Sequence, residues 1–381
     1  RCIPGSEELP LRDSSGRVLA EPFFALLDSP QFDNSAVDGY GVRIEETPGL
    51  LTLAGRSEAG GATPGEQGKG GAIRILTGAP VPTGVGAVVM QEDCRVWGDR
   101  VEVLKEVSGG ENIRCRGEEY RTGDLLLPAD TLLTPSAIGV LASNGRTHAV
   151  VRRLPRVTVI STGQELTAAG ETLGSSAIYD SNGPALSAAL SALGLSAETI
   201  QVNDDPEATA RTFETALGKS DLLLTTGGIS VGDRDLVRDA LARCGVEELF
   251  WRVSIKPGKP VFCGRKGGGL VLGLPGNPVS ALVTYLLFAR PALLQMMGIS
   301  PQEGTIAAPL SGALVKRGGR AEFVRALLEQ SPTRVTPIEK RGSHMLGGLA
   351  GANCLIRLPL QECSFGEGDV VEVMPIRWGV A

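Results

Sequence analysis

Three segments of this 381-residue chain set small polar residues and glycine beside carboxylates. They are Ser161-Thr162-Gly163-Gln164-Glu165, then Asn203-Asp204-Asp205, then Thr225-Thr226-Gly227-Gly228-Ile229-Ser230-Val231-Gly232 with Asp233 and Asp235 behind it. Each follows a short apolar run of strand character. In an open α/β sheet such positions open onto the crevice beyond the carboxyl ends of the strands. One carboxylate there is ordinary helix capping, whereas three along one edge mark a site. The glycines of Thr225–Gly232 let backbone N–H groups approach an anion, and a helix starting near Asp235 adds its positive dipole. That suits a phosphate or a pterin side chain, although a tight strand-to-helix turn accounts for the same glycines. The segment has neither GxxxxGK[ST] nor GxGxxG, so nucleotide hydrolysis by those machines is not supported.

A second kind of chemistry is written in Ile255-Lys256-Pro257-Gly258-Lys259-Pro260. A solvated surface turn is the plain reading of two lysines three residues apart. Rigid prolines around the pair favour an oxyanion site instead, because little ordering entropy remains to be lost on binding. Leu274-Pro275-Gly276-Asn277-Pro278-Val279-Ser280 then opens a long helix and offers further backbone donors. Hard carboxylates beside cations and glycine loops point to Mg²⁺ with a phosphorylated ligand, not to a soft transition metal.

Four pieces must position these residues. From Pro155 to about Met297, strand-like runs (Arg156–Ile160, Glu198–Val202, Asp221–Leu224, Leu249–Val253) alternate with helical ones (Pro184–Leu193, Pro206–Leu217, Asp235–Cys244). A hairpin across Val261–Leu274 and the helix after Asn277 complete the pattern. Such alternation predicts a doubly wound, mostly parallel sheet with helices on both faces, placed at 151–298. Residues 25–123 carry short runs bounded by Gly and Pro (Leu51–Leu53, Ile73–Leu76, Ala87–Met90, Val101–Leu104) and read as an inserted β-rich domain. Around that insertion, 1–24 and 124–150 form one discontinuous domain. Within it Thr134-Pro135-Ser136 starts a helix through Ile138, Leu141 and Ala142 that stops at Asn144-Gly145. Residues 299–381 return to short strands and glycine turns, as in a small β-barrel-like domain.

Composition excludes several classes. The formal charge of −6 lacks the basic footprint of a nucleic-acid binder. Seven cysteines are scattered without CxxC spacing, which reads as reduced cytosolic thiols. Two histidines, His148 and His344, give no recognisable triad. Val279–Met297 is apolar enough to span a bilayer, but Arg290 and Pro291 interrupt it, so it reads as a buried core helix broken near Pro291. No signal peptide opens the chain, Arg1 reads as lying inside a domain with a short N-terminal piece missing, and a cytoplasmic location is expected.

In order along the chain, several blocks resemble the molybdopterin molybdenumtransferases, the bacterial MoeA type and the E domain of gephyrin included. They are Phe32-Asp33-Asn34-Ser35-Ala36-Val37-Asp38-Gly39-Tyr40, Leu76-Thr77-Gly78-Ala79-Pro80-Val81-Pro82, Asn112-Ile113-Arg114-Cys115-Arg116-Gly117-Glu118, Ser161–Leu166, Thr225–Asp235, Ile255–Pro260 and Gly273–Ser280. They reach all four pieces. The Asp33–Tyr40 and Gly273–Pro278 blocks are specific, whereas Thr225–Asp235 is shared with the related adenylyltransferase domain.

The resemblance implies a reaction in which adenylylated molybdopterin and molybdate yield the molybdenum-loaded dithiolene and AMP. By that resemblance Glu165, Asp205 and Asp235 would hold Mg²⁺ or polarise the attacking group, and Lys256 and Lys259 would neutralise phosphate and bind molybdate. Arg252 stands where relatives carry Lys or Arg. Pro275 and Pro278 would shape the molybdate pocket, and Arg320 and Ser343 match positions lining the same cleft. Ser161, Thr162, Gly227, Gly228, Ser230, Asn277 and Arg114 match substrate-binding positions. Glu119 stands where bacterial relatives often carry Asp, keeping the charge but lengthening its reach. Val37 for Met and Gly41 for Ala are expected to be neutral. Asp38 and Thr77 would close the site from a second subunit, so a homodimer is implied and a monomer would be inactive; contact with the adenylyltransferase is a further implied partnership. The adenylyltransferase itself and a gephyrin-like scaffold are the alternatives. The β-rich material on both sides argues against the first, and the absence of a partner-binding linker argues against the second.

Overall fold

A computed structural model describes residues 5–62, 65–203, 205–228, 236–301, 304–331, 333–339 and 342–380. The chain divides into two compact units, one of Arg1–Ala20, Leu132–Thr134 and Val150–Ala381, the other of Glu21–Thr131 and Pro135–Ala149.

The first unit contains the alternating region. Its elements in chain order are β1 (Val157–Thr162), α1 (Asn182–Ser191), β2 (Ala197–Val202), α2 (Pro206–Lys219), β3 (Leu222–Thr226), α3 (Leu236–Arg243), β4 (Glu247–Trp251), β5 (Phe262–Lys266), β6 (Gly269–Leu274) and α4 (Pro278–Met296). The sheet order is β2-β1-β3-β6-β5-β4; the first four strands run parallel, and β5 and β4 are antiparallel additions. Strand alternation divides the core between the two faces. Val157, Val159, Leu222, Leu224, Leu272 and Leu274 pack against α1 and α4, while Ile160, Leu223 and Val271 pack against α2 and α3. Leu222, Leu223 and Leu224 are all fully buried, on opposite faces by turns, and each contributes about 1.5–3 kcal/mol. A strand covered on both sides must read as a continuous apolar run, which Leu222–Leu224 does.

Pro291 does not break the last helix. The chain passes through one π-helical stretch, Tyr285–Ala289, and resumes α-helix at Arg290–Met296. A proline lacks the N–H for the i−4 carbonyl and its ring crowds that carbonyl, so a widened turn just before it relieves both problems. Pro278–Met296 alone among the described residues is long and apolar enough to cross a membrane, and 72% of its apolar 18-residue window lies buried inside the protein.

Beyond α4 the chain forms a small β-barrel. Ala321–Gln330 pairs with Thr333–Pro337 on one side and Cys354–Leu358 on the other; Val370–Pro375 and Ile306–Pro309 follow in the sheet. The bridge Leu310↔Val335 closes the circle. Val324, Ala326, Ile356 and Val373 fill its interior. Ile255–Lys256, from the loop after β4, runs parallel to Ala321–Glu322 and stitches the barrel to the α/β layer.

The second unit is built on a six-stranded sheet in the order Ala87–Met90, Gly39–Val42, Gly71–Ile75, Gly49–Ser57, Arg100–Val103, Cys94–Trp97. Tyr40, Val42, Leu51, Val89, Val101 and Val103 form its core. Its helix spans Pro135–Ser143 and ends before Gly145, whose φ of +77° suits glycine at a helix C-terminus.

Candidate functional site

The order of the parallel strands defines where a ligand can enter. From β1 the chain goes to β2 on one side and returns to β3 on the other, so the loops after Thr162 and Thr226 diverge. A cavity of about 530 Å³ opens there, lined among others by Thr162, Glu165, Asp180, Gly227, Gly228, Pro275, Asn277 and Pro278. The crevice rule for open sheets anticipates this place.

Two glycines make the floor possible. A Cβ on Gly227 would sit 2.2 Å from the carbonyl oxygen of Thr162, and one on Gly228 would sit 2.4 Å from Val237. Both residues also have positive φ, +88° and +63°. Opposite them, Asn182 Nδ2 donates to Thr226 Oγ1 and to the Gly276 carbonyl, each at 2.8 Å. Thr226 Oγ1 in turn donates to the Pro275 carbonyl at 3.2 Å. These bonds tie the Pro275–Asn277 loop to the end of β3 and to the start of α1.

Glu165 folds back over Gly163, with Oε2 2.7 Å from where a Cβ on that glycine would lie. Leu166–Thr167 pairs in parallel with Ile178–Tyr179, and this short ladder brings Asp180 to the same cavity. Asp180 Oδ1 accepts from the backbone N–H groups of Asn182 and Gly183 at 2.9 and 3.0 Å. Asp180 and Asn182 were not among the sequence candidates. The signal was present as Asp-Ser-Asn ahead of a helix, but it reads as capping until the ladder is known. Glu165 and Asp180 give the cavity two carboxylates, while its described lining includes no lysine or arginine. A hard cation held by one or two carboxylates plus ligand phosphates is the usual Mg²⁺ arrangement, so the donor set fits that ion. No cluster of three or more potential metal ligands occurs among the described residues.

A second cavity, about 360 Å³, lies between the Lys256–Pro260 loop and the barrel. Lys256, Lys259, Arg320 and Arg325 line it against a single carboxylate, Glu322, and Ser280 and Ser343 add hydroxyls. Pro260 lines both cavities. The lysines are not an equivalent pair: Lys256 Nζ lies 3.0 Å from Glu322 Oε1, whereas Lys259 makes no ion pair among the described residues. The Val279 N–H donates to the Ser343 carbonyl at 3.0 Å, holding that turn on the first residues of α4.

Other sequence candidates fall elsewhere. Asp205 caps α2, its Oδ1 accepting from the Ala208 N–H at 2.7 Å, and it lines neither cavity. Arg252 has φ +68° and its guanidinium stacks 3.8 Å above the Trp251 ring, also away from both linings. Ser161 is fully buried at the end of β1. Ser230 and Asp235, with Asp204 and Asp233, lie outside the described residues.

In the other unit, three of the resembling blocks are knitted together. Asn34–Ser35 pairs with Ile113–Arg114, the Ser35 N–H donates to the Ala79 carbonyl, and the Arg116 N–H donates to Asp33 Oδ1 at 2.7 Å. Thr77 donates its N–H and its hydroxyl to Asp38 Oδ1 at 2.7 and 2.8 Å. These two bonds, the backbone one foremost, with the Arg74 charge nearby, hold the Asp38 carboxyl below the usual range. Arg114 is exposed, and Glu119 accepts from the Ser29 hydroxyl at 2.7 Å.

Residues 2–145 match the MoeA N-terminal region (domain I and II), residues 158–295 a probable molybdopterin binding domain, and residues 307–376 the MoeA C-terminal region (domain IV). The chain is 35% identical to the molybdopterin molybdenumtransferase of Haemophilus influenzae, over 97% of this chain and 94% of that one. It is 36% identical to molybdopterin molybdenumtransferase 2 of Mycobacterium tuberculosis, over 96% of this chain and 92% of that one. The solved molybdopterin biosynthesis MoeA protein of Pyrococcus horikoshii OT3 superposes with a TM-score of 0.84 at 30% identity, covering 99% of this chain and 96% of that one. This chain, with its strand-end cavity, its cationic cavity and its Asp38 block, belongs to the MoeA-type molybdopterin molybdenumtransferase family.

Proposed function

We propose that this protein transfers molybdenum from molybdate to adenylylated molybdopterin and releases AMP. The observation that carries the reading is the adjacency of two chemically different cavities, joined at Pro260. The glycine-floored cavity suits a pterin phosphate with its adenylyl group, because Gly227 and Gly228 allow the backbone to come close. The smaller one suits a tetrahedral dianion, since its basic residues outnumber its carboxylate and charge-assisted hydrogen bonds to an oxyanion are the strong ones.

In this reading Lys259, Arg320 and Ser343 bind and orient the oxyanion, with Lys256 acting through a charge already shared with Glu322. Glu165 and Asp180 would hold Mg²⁺, which when bound would offset the charge of a pyrophosphate that meets no basic side chain among the described lining. Asp205 has no part in this reading, because it caps α2 and lines neither cavity. A water oxygen attacks the adenylyl phosphorus, and the bond from that phosphorus to the bridging oxygen breaks. The pterin phosphate departs keeping the bridging oxygen, and the adenylyl group, now carrying the water oxygen, is released as AMP, with the water protons passing to the phosphates and solvent. Asp38 with Thr77 serves the same reaction from a second copy of the chain, which makes the active species a homodimer.

The test is direct. Purified protein given adenylylated molybdopterin, molybdate and Mg²⁺ should release AMP and produce cofactor that activates an apo-molybdoenzyme. Chelation of Mg²⁺ should stop release and its readdition restore it. Folded protein that releases no AMP under these conditions would remove the proposal.

A further inference from the structure

Arg325 lies on the barrel strand Ala321–Gln330, and its side chain leaves the barrel. Val324 and Ala326 point into the barrel core, so by strand alternation Phe323 and Arg325 face the other way. Phe323 packs on the core of the α/β layer, and so does Leu355, the cross-strand partner of Arg325. The guanidinium therefore enters the seam between barrel and sheet, and the residue is only 4% exposed. A charge removed from water is costly unless it is paired. No carboxylate pairs with Arg325 among the described residues. Instead Nη1 donates to the Met345 carbonyl at 2.9 Å and Nη2 to the Gly342 carbonyl at 3.2 Å. Burial without a counter-ion pulls its pKa down from the ordinary guanidinium value.

Those two carbonyls bracket one turn. Between them Ser343 lines the cationic cavity and His344 lines the strand-end cavity. A planar fork that binds both ends of a turn fixes its orientation in a way a single donor cannot. The same strand carries Glu322, which holds Lys256 on the facing wall.

We infer that Arg325 is a positioning residue of the oxyanion cavity. It sets the Gly342–Met345 turn so that Ser343 faces the anion, and it leaves in the wall a buried positive charge that a bound dianion neutralises. The inference rests on the assignment of molybdate to this cavity.

The experiment measures molybdate affinity by calorimetry in the full-length protein for Arg325→Met, Arg325→Lys, Lys259→Ala and Lys316→Met. Lys316 is the structural control: it is also 4% exposed, and its Nζ bonds the carbonyls of Arg317, Leu360 and Gln361, away from the cavity. Arg325→Met should raise the molybdate Kd roughly tenfold or more, the scale expected for hydrogen bonds from a charged group. Arg325→Lys, which keeps the charge and loses the fork, should fall between it and the parent. Lys316→Met should lower Tm while leaving molybdate binding within about twofold, because its bonds lie outside the site. If Arg325→Met does not fold, Arg325→Lys decides, and a Kd equal to the parent's would overturn the inference. Weakened binding in Lys259→Ala with parental binding in both Arg325 variants would overturn this inference alone. Parental binding in Lys259→Ala and both Arg325 variants would overturn the cavity assignment as well.

Discussion

Thr77 directs two donors, its backbone N–H and its hydroxyl, at one oxygen of Asp38, with distances of 2.7 and 2.8 Å. This concentrates both bonds on Oδ1. The bonds favour the ionised form, so the folded-state pKa is lowered. A lowered carboxylate pKa means that the associated stability is present above the unfolded value, 3.8, and is lost as pH falls through the folded one. At neutral pH Asp38 is therefore an anion held in place.

Asp38→Asn should fold normally and lose turnover. Thr77→Val, which removes the hydroxyl but keeps the N–H, should raise the Asp38 pKa toward its ordinary value and lower activity less than Asp38→Asn does. NMR titration of the carboxyl and AMP-release assays read the two effects separately. Full activity in Asp38→Asn would take that carboxylate out of the reaction.

The lysines of Ile255–Pro260 should differ. Lys256 is shared with Glu322, so Lys259→Ala should weaken molybdate binding more than Lys256→Ala does. Glu322→Gln should strengthen binding by a few-fold, since it removes the one carboxylate of the cavity and an exposed-side ion pair is worth about 0–1 kcal/mol. Weaker binding in Glu322→Gln would show that the carboxylate positions Lys256 more than it offsets its charge.

Gly227→Ala combines a backbone clash with a residue forced to positive φ. Strain of this kind costs of order 1–3 kcal/mol, so a clear drop in Tm is expected, together with loss of adenylylated-molybdopterin binding. Gly267→Ala, at a φ of +57° in a hairpin with open space around it, is the comparison for φ strain alone. Equal Tm losses in the two would mean that the Thr162 carbonyl moves aside readily.

Asn182→Ala removes the two bonds that tie the Pro275–Asn277 loop to β3 and α1. Hydrogen bonds of this kind, at most part-buried, contribute about 0.5–1.5 kcal/mol each, and the expected result is weaker binding of adenylylated molybdopterin with little change for molybdate. Equal losses for the two ligands would show that the two cavities respond as one.

Much of the α/β layer was legible because its signals are local and redundant. Leu222–Leu224 is apolar at every position, as a strand buried on both faces must be, and Pro206 after Asp205 starts a helix by capping chemistry alone. The same local chemistry misled where it was ambiguous. Asp205 reads as a site carboxylate but caps α2 and lines neither cavity, whereas Asp180, which none of the motif blocks singles out, accepts backbone N–H groups at the start of α1 and also lines the cavity. Pro291 looked like a helix break, and a single π-helical stretch absorbed it.

By itself the sequence determined the class of fold, the location of the glycine loops and the membership in the family. Those follow from periodicity, turn residues and motif blocks that a reader meets in order along the chain. Which side chains share a cavity was decided only in three dimensions. The Leu166–Thr167 ladder with Ile178–Tyr179 brings Glu165 and Asp180 to one place, and the pairing of Ile255–Lys256 with Ala321–Glu322 sets Glu322 against Lys256. Asp38 and Thr77 are likewise 39 positions apart and bonded. Non-local pairings of this kind depend on register and on which face a strand buries, and no window of local sequence encodes either.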